Sequence, residues 1–198
     1  MPNDISRETS EALDRFAALL LRWNRTVNLI ARKDEQRLWE RHIADSLQLA
    51  TLMQPGPGRA IDLGSGAGFP GLVLAIATGV PFDLIEADQR KAAFLREAAR
   101  ITSASVQVHP IRIETARIAP AALITARALA PLTKLLDLAA PMLATEGICL
   151  FLKGANAQAE LTEAASQWHM QVEILPSQTA PEACILRISN LSRVAPPN

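Results

Sequence analysis

Residues 62–71 bring one carboxylate and four glycines together in a single short segment. The segment reads Asp62-Leu-Gly-Ser-Gly-Ala-Gly-Phe-Pro-Gly71, and apolar runs lie before it at 60–61 and after it at 72–77. Glycine has no Cβ, so the backbone can turn tightly and approach a ligand closely. This order predicts a strand, a ligand-binding loop and a helix.

The carboxylate at the start of the loop indicates the charge of its ligand. Dinucleotide-binding loops hold a pyrophosphate at a helix N-terminus, where negative charge is stabilised. Asp62 repels a pyrophosphate and attracts a cation, and the cationic, phosphate-free nucleotide that fits is S-adenosylmethionine. Four residues are expected to belong to its site: Asp62, Gly64, Gly66 and Phe69. A dinucleotide-binding loop and a glycine-rich turn without a ligand are the alternatives.

The carboxyl ends of the following strands carry further candidates, because ligands of open α/β sheets bind beyond these ends. Glu86 lies about twenty residues after the loop, where a carboxylate can accept hydrogen bonds from both hydroxyls of a ribose. Asp88 is the alternative, although its position before Gln-Arg-Lys is typical of a helix cap. Near 110–114, an apolar side chain and a backbone amide would suit an adenine ring, and a plain turn is the alternative reading.

Arg127 stands between small residues at the end of the fourth predicted strand. An unpaired cation is costly to bury, so this arginine requires a ligand or a carboxylate. We therefore expect Arg127 to contact the ligand or to form a salt bridge with Glu114 or Asp62.

The elements that must position these residues alternate along the chain. Strands are predicted at 59–63, 81–86, 106–110, 123–126, 149–153, 171–176 and 183–189. Helices are predicted at 71–78, 89–102, 132–143 and 157–168. This alternation predicts an α/β fold with a mostly parallel sheet that is covered on both faces.

The first fifty residues carry helical periodicity instead. Apolar residues recur at helical spacing over 13–21, with Ser6 or Thr9 as the expected cap. A second helix is expected to begin at Asp34, as its cap, and to run to about Met53.

Residues 54–58, Gln-Pro-Gly-Pro-Gly, break the chain between these helices and the glycine loop. The sequence has 198 residues, enough for one domain with an addition. We therefore predict an N-terminal helical extension over 1–56 and a ligand-binding core over 57–198.

Composition excludes several classes of protein. Apolar residues make up 49% and charged residues 20%, which is typical of a folded globular protein. No apolar stretch is long enough to cross a bilayer, and the first residues lack the pattern of a signal peptide. Cys149 and Cys184 lie in apolar runs, where reduced, buried thiols are expected, and no spacing indicates a metal site. The expected location is the cytoplasm.

The net charge is zero, but its distribution is uneven. Residues 89–134 hold eight Lys and Arg against two acids, and residues 22–41 hold six against three. Such asymmetry predicts a basic face and a polyanionic partner, and ordinary solvated helix faces are the alternative.

Several of these segments together resemble the bacterial small-subunit ribosomal RNA methyltransferase G family, also called glucose-inhibited division protein B. The likeness covers nearly the whole chain. Its specific motifs are Trp-Asn-Arg-Thr-Val-Asn-Leu over 23–29 and His-Ile-Ala-Asp-Ser-Leu over 42–47. It continues in the glycine loop ending at Phe69-Pro-Gly71, in Arg-Ala-Leu-Ala over 127–130 and in Leu-Lys-Gly over 152–154.

The resemblance implies a class I S-adenosylmethionine-dependent methyltransferase. Such a protein has a Rossmann-like sheet of seven strands, mostly parallel with an antiparallel last strand, and here an N-terminal helical extension. The implied reaction is methylation of N7 of a guanine in 16S rRNA, on the RNA or the small ribosomal subunit, with S-adenosylhomocysteine as the product. A monomer without a metal ion is expected.

By motif position, the resemblance implies five cofactor contacts: Gly64, Phe69, Ile113, Glu114 and Arg127. RNA contacts are expected from seven basic residues: Arg22, Arg25, Lys33, Arg37, Arg41, Arg127 and Lys153. The chain departs from many members of the family at Ala67, Phe69 and Pro131, which bears on the shape of the pocket.

The implied chemistry requires no proton transfer. Guanine N7 carries an in-plane lone pair and no proton, so the enzyme must hold N7 in line with the methyl group. Positive charge then passes to the purine, and a preorganised acceptor near the base would stabilise it. No catalytic residue is assigned.

The sequence is also compatible with other functions. A ribosome-assembly protein could keep the fold without the chemistry, although the glycine loop is intact. A small-molecule methyltransferase would not need the basic regions. His42 and Asp45 lie on one helical face, where they would either line the site or dock the N-terminal helices. Trp23 and Trp39 are expected in the core rather than stacked on bases.

Overall fold

A computed structural model describes residues 5–53 and 58–195 of the chain. The predicted boundary between 56 and 57 lies outside the described residues. Within them, no helix is both long and apolar enough to cross a membrane.

The described part of the chain forms seven strands and six α-helices. The strands are β1 (Ala60–Leu63), β2 (Phe82–Ile85), β3 (Val106–His109), β4 (Ala121–Arg127), β5 (Leu143–Lys153), β6 (Trp168–Pro176) and β7 (Cys184–Arg193). The helices are α1 (Arg7–Asn24), α2 (Asp45–Leu47), α3 (Gly71–Thr78), α4 (Gln89–Thr102), α5 (Leu132–Ala139) and α6 (Ala157–Ala164).

The core follows the predicted alternation closely. All seven predicted strands are present, and α3 and α4 have the predicted bounds. The helix predicted over 132–143 ends earlier, at Ala139, and a 3-10 turn over Ala140–Met142 follows it. Pro141 lies in that turn, where its missing N–H and its ring do not allow the α-helix to continue.

The strands form one sheet in the order β3-β2-β1-β4-β5-β7-β6. Strands β1 to β5 pair in parallel, whereas β7 runs antiparallel to both β5 and β6. Strand β1 lies between β2 and β4, so the chain order reverses there. Ligands of open α/β sheets bind at such a switch point, beyond the carboxyl ends of the strands. The predicted seven-stranded, mostly parallel fold is confirmed.

The N-terminal segment begins as predicted and then differs. Ser6 caps α1, its hydroxyl accepting a hydrogen bond from the Thr9 amide at 3.1 Å. The single helix predicted from Asp34 to Met53 is wrong. A 3-10 helix over Arg32–Arg37, a π-helical turn over Trp39–Ala44, α2 and a further 3-10 turn replace it. Asp34 lies inside the first of these turns and does not cap a helix.

Packing explains this departure. The Asn24 side chain accepts hydrogen bonds from the Leu29 and Ile30 amides at 2.9 and 3.0 Å, which fixes the chain as it leaves α1. The π-helical turn contains His42 and leads directly into Asp45 of α2, and both side chains contact Arg127. Local helix propensity is overridden by these contacts.

The core lies on both faces of the sheet. On one face, Phe16 of α1 packs against Phe69 and Phe94, with ring centroids 5.6 and 6.2 Å apart. On the other face, α5 and α6 cover β4, β5 and β7. Trp23 and Trp39 pack against the first cluster, so their expected place in the core is confirmed.

The two cysteines form no disulfide. Cys149 is fully buried in β5, and Cys184 at the start of β7 is half-buried. Burial raises the pKa of the Cys149 thiol to about 12, so this thiol stays protonated and unreactive at neutral pH.

Candidate functional site

A cavity of about 600 Å³ opens at the carboxyl ends of β1, β2 and β4. Its volume lies within the usual range for a small-molecule or cofactor site. Seven of the eight residues predicted to bind the cofactor line it: Gly64, Gly66, Phe69, Glu86, Ile113, Glu114 and Arg127. The eighth, Asp62, lies outside the lining. The structure therefore brings the predicted strand ends together around one space.

The glycine loop has a backbone that other residues rarely adopt. Gly64, Gly66 and Gly68 have φ values of 66°, 54° and 93°, all in the left-handed region. A Cβ on Gly64 would lie 2.6 Å from Cδ1 of Leu129, a side chain that also lines the cavity. Glycine at position 64 therefore keeps this side of the cavity open.

Glu86 is fixed by two backbone donors at the edge of the cavity. Its Oε2 accepts a hydrogen bond from the Gly66 amide at 2.8 Å, and its Oε1 accepts one from the Asp88 amide at 2.7 Å. Each carboxylate oxygen can still accept a second hydrogen bond. The rival residue, Asp88, caps α4 by accepting from the Arg90 and Lys91 amides at 2.8 and 3.2 Å.

The far side of the cavity is apolar with a charged rim. Ile111, Ile113 and Leu138 line it, and Ile113 begins a 3-10 turn after β3. Glu114 and Lys134, on the same rim, form an exposed ion pair at 4.0 Å. The two isoleucines give this side of the cavity an apolar surface.

Asp62 lies beneath the loop and does not face the cavity. Its side chain is fully buried, and Oδ1 accepts a hydrogen bond from the Thr125 hydroxyl at 2.7 Å across the β1–β4 pairing. A Cβ on Gly71 would come within 2.8 Å of Oδ2, so this glycine makes room for the carboxylate under α3. Burial raises the pKa of Asp62 to about 6, because the ionised form is poorly solvated there.

Arg127 extends from β4 to the N-terminal segment. Its Nη1 donates to Oδ2 of Asp45 at 3.1 Å and to the Arg41 carbonyl at 3.0 Å, and its Nη2 donates to Nδ1 of His42. The guanidinium also lies over the Phe69 ring, 5.1 Å from its centroid. Burial lowers the pKa of Arg127, while the charge of Asp45 opposes that effect.

The acidic partner of Arg127 differs from the expected ones. The predicted partners were Glu114 or Asp62, whereas the structure pairs Arg127 with Asp45. These two residues are 82 positions apart in the sequence. The motif over 42–47 was the sequence signal that could have indicated this pair, because its Asp45 carboxylate had no assigned partner.

His42 is a neutral ring at the junction of these groups. Burial and the nearby charge of Arg127 lower the pKa of His42 to about 4. Its Nδ1 accepts from Arg127, so the ring proton is on Nε2. The ring stacks on Phe69 with centroids 5.0 Å apart. His42 therefore both docks the N-terminal segment and lines the cavity, which joins the two roles considered for it.

A second cavity, of about 770 Å³, adjoins the first. The two share His42 and the turn over 127–130, in which Ala128 has a left-handed φ of 50°. Such a conformation is uncommon for alanine and places strain in the wall between the cavities.

The predicted RNA-binding residues divide into two groups. Arg37, Arg41, Arg127 and Lys153 line the second cavity. Lys153 is nearly buried, and its ammonium donates to Glu160 at 2.6 Å and to the Ala130 carbonyl at 2.9 Å. The other three are exposed and line neither cavity: Arg22, Arg25 and Lys33.

His109 has an acidic partner in the structure. His109 Nε2 lies 2.5 Å from Oδ1 of Asp83, and Arg59 Nη1 lies 2.6 Å from Oδ2 of the same carboxylate. Asp83 and His109 belong to neighbouring strands, β2 and β3, and neither lines either of the two cavities described above. This cluster stabilises the sheet.

The described residues contain no cluster of three or more His, Cys, Asp or Glu side chains that could hold a metal ion.

The sheet order, the antiparallel last strand and the glycine loop beside Glu86 define a class I S-adenosylmethionine-dependent methyltransferase. Solved structures share this fold. The tRNA (m1A58) methyltransferase TrmI from Aquifex aeolicus aligns with a TM-score of 0.61 at 15% identity, covering 76% of this chain and 69% of its own. M. jannaschii TYW2, solved in complex with AdoMet, aligns with a TM-score of 0.60 at 14% identity, covering 77% and 76%.

Sequence similarity identifies the family. The chain belongs to the GidB family, described as rRNA small subunit methyltransferase G, whose profile matches residues 9–183. The "Ribosomal RNA small subunit methyltransferase G" of Granulibacter bethesdensis is 60% identical over 190 residues, covering 96% of this chain and 89% of the relative. The protein of the same name from Gluconobacter oxydans is 58% identical, covering 96% and 98%.

Proposed function

We propose that this protein transfers the methyl group of S-adenosylmethionine to N7 of a guanine in 16S rRNA. The observation that carries the proposal is the pair of adjoining cavities that share the turn over 127–130. The first offers a nucleotide site, and the second is lined by basic side chains. Membership of an rRNA methyltransferase family supports both assignments.

The first cavity fits the cofactor. S-adenosylmethionine supplies an electrophilic methyl group on a positively charged sulfur. Glu86 accepts from the two ribose hydroxyls, for which its oxygens are already oriented by the Gly66 and Asp88 amides. Ile113 packs against the adenine, and the Gly64 backbone permits close approach to the rest of the ligand. The buried carboxylate of Asp62 acts through its negative field rather than by contact.

The second cavity receives the base. Transfer to N7 requires no general base, so the residues in the shared wall act by holding the purine in line with the methyl group. His42 and Arg127 of that wall form one stacked and hydrogen-bonded unit with Phe69 of the first cavity. Because these side chains are fixed before the substrate arrives, little reorganisation accompanies the reaction.

The basic surface binds the RNA backbone. Arg37 and Arg41 lie at the second cavity, while Arg22, Arg25 and Lys33 extend the positive charge beyond it. Lysine and arginine neutralise phosphates and release counterions, which supplies affinity without base specificity.

The proposal also includes a cellular location and an oligomeric state. A protein that modifies bacterial ribosomal RNA acts in the cytoplasm. It acts as a monomer, because the large apolar side chains exposed among the described residues are only Leu21 and Ile174. These two side chains are too few to form an obligate interface.

A methyl-transfer assay tests the proposal. Purified protein is incubated with small ribosomal subunits from cells that lack its gene and with methyl-labelled S-adenosylmethionine, and the 16S rRNA is mapped by mass. One new N7-methylguanine is expected with the wild type. Glu86→Gln, which loses an acceptor for a ribose hydroxyl, weakens cofactor binding about tenfold. Its control, Asp88→Asn, keeps wild-type affinity.

The other outcomes point to the alternative functions. Cofactor binding without label in RNA indicates a small-molecule methyltransferase. Binding to the subunit without cofactor affinity indicates an assembly protein that has lost the chemistry.

A further inference from the structure

Among the described residues, two carboxylates line the second cavity, Asp45 and Glu160. They differ in how many of their oxygens already accept a hydrogen bond. Asp45 uses both oxygens: Oδ2 accepts from Arg127, and Oδ1 accepts from Gln48 and Thr179 at 2.8 and 2.6 Å. Glu160 uses only one. Its Oε2 accepts from the Lys153 ammonium at 2.6 Å and from the Leu132 amide at 2.7 Å.

The second oxygen of Glu160 is open to the cavity. No hydrogen bond within 5–53 and 58–195 involves Oε1, and this atom is not among the buried side-chain atoms that lack a partner. The side chain is 24% exposed and lines the cavity. Lys153 and the N-terminus of α5 therefore hold a carboxylate in place and leave one acceptor oxygen facing the space beside the shared turn.

We infer that Glu160 recognises the target base as guanine, an inference that rests on the proposed function of the two cavities. Oε1 accepts hydrogen bonds from the N1–H and the N2 amino group, two donors that guanine presents side by side. Adenine presents an acceptor at N1, which the carboxylate repels. A site built to accept from these groups rejects a base that lacks them.

The position of these donors suits methylation at N7. N1 and N2 lie on the side of the purine opposite N7, so a base held at Glu160 keeps N7 free to face the shared turn. The N7 lone pair forms the new N–C bond, the S–C bonding pair stays with sulfur, and the proton stays on N1.

Glu160 also stabilises the reaction itself. As positive charge spreads over the purine, N1–H and the N2 amino group become stronger donors. Their hydrogen bonds to a fixed carboxylate strengthen between the bound state and the transition state, which raises kcat rather than only lowering KM.

The test compares guanine with inosine, which lacks the N2 amino group. Small subunits are reconstituted from 16S rRNA that carries one or the other at the methylated position, and kcat/KM is measured for each. The wild type prefers guanine by about ten- to a hundredfold, the loss of one charged hydrogen bond. In Glu160→Ala the preference falls to about one, whereas Glu163→Ala, exposed on the same helix, keeps it.

A merely structural role predicts a different pattern. If Glu160 only held Lys153 and α5, the variant would lower both rates equally and leave the wild-type preference intact, which overturns the inference. A wild-type preference near one also overturns it. Failure of the wild type to methylate guanine would instead refute the proposed function.

Cofactor binding and a second variant show whether the substitution has disturbed the structure. Glu160→Ala is expected to bind S-adenosylmethionine with wild-type affinity, because Glu160 does not line the first cavity. If that variant does not fold, Glu160→Gln replaces it. Its amide can still accept from Lys153 while it presents its NH₂ group to the base, so the preference for guanine again disappears. A retained preference in that variant contradicts the inference.

Discussion

Asp45 in the N-terminal segment and Arg127 at the end of β4 form a nearly buried ion pair, with 3.1 Å between Oδ2 and Nη1. Their side chains are 14% and 18% exposed. Arg127 lines both cavities, so a residue of the helical extension sets the orientation of a side chain at the site. The N-terminal segment is thus part of the proposed site.

Removal of the Asp45 carboxylate is expected to lower the stability of the fold and to weaken cofactor binding. Asp45→Ala leaves the Arg127 charge buried without its partner, a change that costs about 3–5 kcal/mol of the free energy of unfolding. The released guanidinium also moves within the first cavity, which raises the Kd for S-adenosylmethionine. Urea denaturation and calorimetric titration measure the two effects.

Asp137→Ala is the matched control. It breaks the Arg193–Asp137 pair, whose side chains are 54% and 33% exposed. Such a pair contributes at most about 1 kcal/mol. Equal losses of stability in the two variants would contradict the structural role assigned to Asp45.

The core of the site could be predicted from sequence because local signals sufficed. The glycine loop, Glu86 and the cap at Asp88 each follow directly from the alternation of strands and helices. The burial of Asp62 could not be predicted in this way. It depends on Thr125 in the neighbouring strand and on the space that Gly71 leaves, both of which need the strand register.

The Asp45–Arg127 pair was beyond local reasoning for a different reason. Apolar periodicity predicted one α-helix from Asp34 through His42 and Asp45, whereas the chain is 3-10 helical over Arg32–Arg37 and π-helical over Trp39–Ala44 before α2. The side chains of His42 and Asp45 both contact Arg127, which lies far along the chain. A periodic pattern records which face is apolar, but it does not record which distant charge that face meets.

The ionisation of Asp62 is expected to control the affinity for a cationic ligand. Its pKa is about 6, so the carboxylate gains its charge as the pH rises through that value. The Kd for S-adenosylmethionine should therefore fall between pH 5 and 7, by about tenfold if binding lowers this pKa by about one unit.

Two comparisons isolate the charge of Asp62. S-adenosylhomocysteine lacks the positive sulfur, so its affinity should change less over the same pH range. Asp62→Asn should bind S-adenosylmethionine with little dependence on pH. If both ligands show the same dependence in the wild type, another group is responsible.

Asp62 and His42 are expected to give stability opposite dependences on pH. The folded-state pKa of Asp62 is raised from 3.8 to about 6, so its contribution is present below 3.8 and is lost as the pH rises through 6. The folded-state pKa of His42 is lowered from 6.5 to about 4, so its contribution is present above 6.5 and is lost as the pH falls towards 4.

Single variants separate these two contributions. In His42→Asn only the contribution of Asp62 remains. The free energy of unfolding of this variant should therefore decrease, relative to the wild type, as the pH rises from 4 to 6. In Asp62→Asn only the contribution of His42 remains, and the free energy of unfolding of this variant should increase, relative to the wild type, as the pH rises from 4 to 6. Urea denaturation at several pH values measures both, and parallel curves for the two variants would refute the assignment.

The space above Gly64 is expected to be essential for cofactor binding. Gly64→Ala and Gly79→Ala both place alanine at a left-handed φ, 66° and 72°, which costs about 1 kcal/mol of stability each. Only the first introduces a methyl group against Leu129, at 2.6 Å, while the second meets nothing within 4 Å. Titration with S-adenosylmethionine should show weaker binding for Gly64→Ala alone; weaker binding by both would point to a general loss of structure.

Positive charge outside the cavities is expected to determine how RNA binding depends on salt. Arg25 and Lys33 are exposed and line neither cavity, so Arg25→Gln with Lys33→Gln removes two charges without changing the cofactor site. The slope of log K against log salt concentration should become shallower by about 0.7–0.9 per lost phosphate contact. A matched double variant, Arg187→Gln with Arg193→Gln on β7, changes the net charge equally. Filter binding to 16S rRNA is measured at several salt concentrations, and the matched variant should keep the wild-type slope. A similar change of slope in both double variants would show that net charge alone is responsible.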